Sequence, residues 1–154
     1  PTTADMRSPW GDIKRGYIQS WNFTVERELP SNIVASVAYV GTQTTNQLAE
    51  RNINAGLPGT VTADLPLARA FDRRIATNMW DGWLSGNYHS LQASLNRQFS
   101  NGLLLKGPYT WSKAINMTDD NGWAGVNWNS PEVIYRNRAR AGYDRRHIYQ
   151  LRYV

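Results

Sequence analysis

The stretch Tyr17-Ile-Gln-Ser-Trp-Asn-Phe-Thr-Val-Glu-Arg-Glu-Leu29 decides the fold. Its odd positions read Tyr17, Gln19, Trp21, Phe23, Val25, Arg27 and Leu29, and its even positions include Ser20, Asn22, Thr24, Glu26 and Glu28. A period of two is the signature of a strand with one apolar and one polar face. Pro30-Ser31-Asn32 is turn chemistry, and Ile33, Ala35, Val37 and Tyr39 begin a second strand that reaches Gly41. If the turn has three residues, Val25 faces Val37, Phe23 faces Tyr39, and Trp21 covers the bare backbone of Gly41.

The pattern recurs downstream. His89, Leu91, Ala93, Leu95, Arg97 and Phe99 alternate with Ser90, Gln92, Ser94, Asn96 and Gln98; Ser100-Asn101-Gly102 turns the chain; Leu103, Leu105, Tyr109 and Trp111 share the next face. A three-residue turn there puts Phe99 opposite Leu103 and Leu91 opposite Trp111. Tyr149, Leu151 and Tyr153 alternate in a last strand. The reading is therefore an all-β chain, an antiparallel meander of about five strands at 17–29, 33–43, 88–99, 103–113 and 144–154. It is read as a single sheet unit over residues 1–154, with long loops at 42–87 and 114–143.

Short turns at one end of a meander and long loops at the other are unusual in compact soluble domains and ordinary in outer-membrane barrels. The aromatic residues share that polarity. Tyr17, Trp21, Phe23, Tyr39, Tyr88, Tyr109, Trp111 and Tyr149 are expected in a girdle or packing face toward the long-loop end, with Arg27 and Arg97 placed to snorkel at the other. The odd face, including Val25, Val37, Leu95 and Leu105, is expected to lie against lipid or protein. The alternative for the same pattern is a soluble sheet with one buried face.

Composition excludes several classes. With 154 residues the chain has room for one ordinary domain. It has no cysteine, which removes disulfides, thiolate zinc sites and thiol catalysis. The net charge of +5 comes from scattered arginines, apart from Arg73-Arg74 and the stretch from Arg136 to Arg146, so no nucleic-acid partner is expected. No apolar run is long enough for a transmembrane helix. The start at Pro1, with no visible signal peptide, suggests a processed or truncated product.

Chemistry is sparse. His89 and His147 lack a third ligand at useful spacing, and Asp119-Asp120-Asn121-Gly122 lacks the alternating oxygens of a calcium loop. No catalytic triad or phosphate-binding glycine loop occurs, so no catalytic residue, metal or cofactor is assigned and no enzyme is expected. Trp80, Trp83, Trp123 and Trp128 fall in the long loops. They are candidates for ligand or subunit contacts, against the plainer reading that they pack the loops together.

Five stretches carry a family likeness: Ser20-Trp-Asn-Phe-Thr-Val-Glu-Arg-Glu-Leu-Pro30, Val37-Ala-Tyr-Val-Gly-Thr42, Tyr88-His-Ser-Leu-Gln92, Tyr109-Thr-Trp-Ser-Lys113 and Tyr143-Asp-Arg-Arg-His147. In this order they resemble the barrel of TonB-dependent receptors, closest to the Oar-like group with its carboxypeptidase-regulatory-type domain. That resemblance implies a segment of a large outer-membrane barrel and a role in uptake or surface binding of a large ligand. Such receptors close about 22 strands around a plug, so about five strands are not a transporter by themselves. Pro108 departs from the family, which more often has a small donor-bearing residue there; it is expected to mark an unpaired edge. The implied partner is outer-membrane lipid. The rival expectation is an extracellular fibre, in which the open strand edges pair with other copies of the chain.

Overall fold

A computed structural model describes residues 4–100, 103–120, 126–130 and 132–153, with backbone alone for 98–100 and Leu103. Strand accounts for 57% of the described residues and helix for 8%, so the fold is all-β. The strands are β1 (Met6–Pro9), β2 (Tyr17–Leu29), β3 (Ile33–Asn52), β4 (Thr77–Ser100), β5 (Leu103–Asn116), β6 (Ala139–Arg140), β7 (His147–Tyr149) and β8 (Arg152–Tyr153). The helical residues form one α-turn, α1 (Ala68–Phe71), and 3-10 turns at Thr62–Asp64 and Ile134–Asn137. Neighbouring strands follow the order β2-β3-β4-β5-β6; β1 also pairs with β4, and β7 and β8 pair with β5.

Several boundaries differ from the periodicity reading. β3 continues past residue 43 to Asn52, and β4 begins at Thr77 rather than 88. The added segments, Thr44–Asn52 and Thr77–Asn87, are rich in Asn, Thr, Gln and Gly. They lack the apolar alternation that marks a half-buried strand, but a ladder needs only backbone donors and acceptors. The first connection therefore shrinks to 53–76. β1, whose residues Met6–Pro9 pair parallel with Thr77–Trp80, has no alternation either.

The second hairpin pairs Leu91 with Trp111, the register that the alternation predicts. Its turn is tighter than expected. Ser100 rather than Phe99 pairs with Leu103, and a register irregularity between Arg97 and Ser100 absorbs the extra residue. Asn101-Gly102, between them, lies outside the described residues.

The last strand is interrupted. Trp111 pairs with His147 and Tyr109 with Tyr149, and on the same register Leu105 pairs with Tyr153. Between them Gln150 N–H donates to Pro108 O at 3.1 Å. Pro108 has no N–H to return the bond, so the ladder breaks opposite Gln150 and Leu151, and one expected strand at 144–154 becomes β7 and β8. Pro108 itself is not on an outer edge, because it pairs with Ser94 of β4 on its other side.

The strands form a single sheet, and the chain divides into two compact units. The first comprises residues 1–17, 44–85 and 116–141, and the second 18–43, 86–115 and 142–154. The reason lies in the first unit, whose connections build an interior of their own. Ala49, Leu84 and Val126 are buried there, with Trp83 and Met117 packed against them. Polar side chains do the rest. Asn54 Nδ2 donates to Arg73 O (2.9 Å) and Ile75 O (2.8 Å), and its Oδ1 accepts from Leu67 N–H (2.8 Å). The buried Arg73 guanidinium donates to Ala4 O and Ala76 O, both at 2.9 Å, and to Thr77 Oγ1. Glu50, 5% exposed, accepts from Arg7 Nη1 (3.0 Å), Trp80 Nε1 (2.9 Å) and Asn78 Nδ2 (3.3 Å).

Candidate functional site

The second unit has a sheet turned inside out. Its odd face carries Phe23 at 69% exposure, Val25 at 55%, Val37 at 50%, Leu95 at 53% and Trp111 at 52%; Leu105 is half-buried. Its even face carries several small polar residues, and those on β4 and β5 are the more covered. Ser90 and Ser112 are only 3% and 7% exposed. Ser36 Oγ and Ser94 Oγ lie 2.8 Å apart, Asn96 Nδ2 donates to Ser94 Oγ at 3.2 Å, and Ser112 Oγ donates to Arg145 O at 2.9 Å. A water-soluble sheet hides its apolar face and wets its polar one. Here several polar side chains of β3, β4 and β5 bond to one another or to backbone, and among the described residues Phe23, Val25, Val37, Leu95 and Trp111 of the odd face stay exposed.

Aromatic and histidine side chains run across that apolar face. The Trp21 indole lies over Gly41, where even a Cβ would collide with it, and its ring sits 6.2 Å from that of His89. Tyr39 stacks on His89 at 6.1 Å, with its hydroxyl 2.7 Å from His89 Nδ1. The arrangement repeats with Tyr109 and His147, whose rings are 6.2 Å apart and whose hydroxyl–Nδ1 distance is 2.8 Å. Each histidine thus uses Nδ1 on a tyrosine, and no group of three or more metal-ligating side chains occurs among the described residues. A depression of about 870 Å³ is lined by Tyr39, His89, Leu91, Trp111 and His147, among others.

The other expected girdle residues divide. Tyr149 pairs with Tyr109 and is 63% exposed. Tyr17 begins β2 and is 52% exposed, within the first unit. Tyr88 is not part of the apolar face. Strand alternation turns it to the side of Ser90, where it lines a small hollow with Ala114 and Tyr143. Arg27 is exposed and Arg97 half-buried.

Two of the four supposed loop tryptophans are strand residues. Trp80 and Trp83 lie in β4, one held by Glu50 and the other donating to Ala49 O at 3.3 Å. Both serve the packing of the first unit. Trp128 is 44% exposed, with the Arg136 guanidinium 5.3 Å from its ring centroid. Asn137 fixes its backbone, accepting from Trp128 N–H at 2.9 Å and donating to Trp128 O at 2.8 Å. Trp123 lies outside the described residues. Asp119 accepts from Asn116 Nδ2 at 2.7 Å, and Thr118 Oγ1 accepts from Asp120 N–H at 3.2 Å, which is turn chemistry.

An exposed apolar face, a partly hydrogen-bonded polar face and a row of amphipathic aromatics are features expected of an outer-membrane barrel wall. A family model for an outer membrane beta barrel domain matches residues 1–154. The chain belongs to that family. Membership places this barrel domain in the outer membrane, which barrels cross with strands. No helix among the described residues is long and apolar enough to cross a membrane. Neither the curated proteins nor the solved structures include a match to the chain.

Proposed function

We propose that this barrel segment belongs to an outer-membrane receptor of the TonB-dependent kind, similar to the Oar-like group, and serves uptake or surface binding of a large ligand. The inside-out sheet of the second unit carries the membrane half of this reading: Phe23, Val25, Val37, Leu95 and Trp111 meet lipid. The receptor half rests on the five ordered stretches from Ser20 to His147. No step of the reading asks for catalysis, a cofactor or a metal.

The test is to isolate outer membranes from the cells that make the protein and probe them with an antibody to this segment. A polypeptide large enough for about 22 strands and a plug, resistant to alkaline extraction and cross-linking to TonB, is the expected result. A lipid-embedded polypeptide that never cross-links to TonB would overturn the receptor assignment and leave the barrel.

A second reading is a structural subunit of an extracellular fibre. One observation favours it: β2 is last in the strand order, with β3 its only neighbour among the described residues, and is exposed along its whole length. A free edge beside an apolar face recruits another strand. Polymers of a chain near 17.5 kDa recovered outside the cell would support this reading over the first.

A further inference from the structure

We propose that the depression on the apolar face of the second unit seats one anionic membrane lipid, with its phosphate over Lys113 and Arg146 and an acyl chain along Leu91 and Trp111. The inference rests on the lipid-facing reading of this surface and goes further by naming a head group. Along β4 and β5 the rung Leu91–Trp111 is followed by the rung His89–Lys113. Within one alternation the surface changes from apolar to cationic, as an interface between hydrocarbon and head groups requires. Across β5, Trp111 also pairs with His147.

The charges are arranged for an anion. Lys113, Arg146, His89 and His147 all line the depression, and no Asp or Glu does. Neither Lys113 nor Arg146 has a carboxylate partner among the described residues, whereas Arg7, Arg69 and Arg74 all do. Asp144, the acid closest in sequence to Arg146, accepts from Ala114 N–H at 2.7 Å. The two histidines are held by Tyr39 and Tyr109 through Nδ1, so Nε2 of each is the nitrogen left for a ligand. A free phosphate would use only the cationic rung. The adjoining apolar rung, with Leu91 at 42% exposure and Trp111 at 52%, requires a ligand with a hydrocarbon part.

The experiment uses the intact outer-membrane protein in vesicles of phosphatidylcholine or of phosphatidylcholine mixed with phosphatidylglycerol. Either lipid is brominated so that it quenches tryptophan on contact. In the wild type, brominated phosphatidylglycerol is expected to quench more than its mole fraction predicts. K113Q/R146Q should remove that excess, at about fivefold in local preference per cation, while quenching by brominated phosphatidylcholine stays unchanged. Equal quenching by the two lipids in the wild type, or an excess that survives in the variant, overturns the lipid seat. No quenching by brominated phosphatidylcholine would instead overturn the lipid-facing reading beneath it. R74Q, which removes a cation paired with Asp72 in the first unit, is the charge control and should leave the excess intact.

Discussion

Trp21 over Gly41 is a sharply determined contact. Atoms of the indole occupy the space where a side chain at position 41 would begin. The sequence shows this pair, because a large aromatic and a glycine at matched hairpin positions leave few alternatives. Gly41→Val should expel the indole and cost about 1–3 kcal/mol as an overpacking change, read as lower resistance to heat or urea and a changed Trp21 emission. Gly82 is tighter still. A Cβ there would meet Asn46 O at 2.7 Å and the Lys14 carbonyl closer yet. Both are backbone atoms and cannot rotate away, and alternation gives no warning of them. Pro108 was half legible. Its missing donor was plain, but only the register shows that the donor is owed to Gln150 rather than to β4. Pro108→Ala should let β7 and β8 join into one strand and gain about 0.5–1.5 kcal/mol from the restored bond. Slower amide exchange at Gln150 and its neighbours in the last strand would register it.

At the scale of elements, legibility follows the source of each strand's stability. β2 was readable because Trp21, Phe23 and Val25 alternate with polar residues along its centre. The later part of β3 and the first part of β4 were not, since Glu50, Asn54 and Arg73 order that region through long-range hydrogen bonds. A buried glutamate collecting an arginine from β1 and a tryptophan and an asparagine from β4 has no spacing signature. For the same reason tryptophans that look like loop anchors turn out to be strand residues. Asn54→Ala deletes three hydrogen bonds, two of them from one amide, and leaves Leu67 N–H, Arg73 O and Ile75 O without that partner. A loss of about 1–3 kcal/mol per uncompensated buried group is expected. Limited proteolysis should then cut within 53–76 while the second unit stays intact. Cleavage no faster than in the wild type would show that the asparagine does not order the connection.

For the whole molecule, the decisive property is which face of the second unit lacks protein cover. An Asp at Val25 or Leu95 should cost about 2–4 kcal/mol if the position lies near the bilayer midplane, and less near the interface. The same change at Ser94, on the hydrogen-bonded polar face, should cost less, and comparing folded yields in vesicles separates the two. The most direct measurement uses the absence of cysteine in this chain. Single cysteines at Phe23, Val25, Leu95, Ser36, Ser90 and Ser94 are introduced into the protein in its native membrane and labelled with a lipid-soluble or a water-soluble maleimide. Lipid contact predicts that positions 23, 25 and 95 react with the lipid-soluble reagent alone, and that 36, 90 and 94 resist it. Water-soluble labelling of 23, 25 and 95 at the rate of an exposed loop cysteine would contradict the membrane-facing wall.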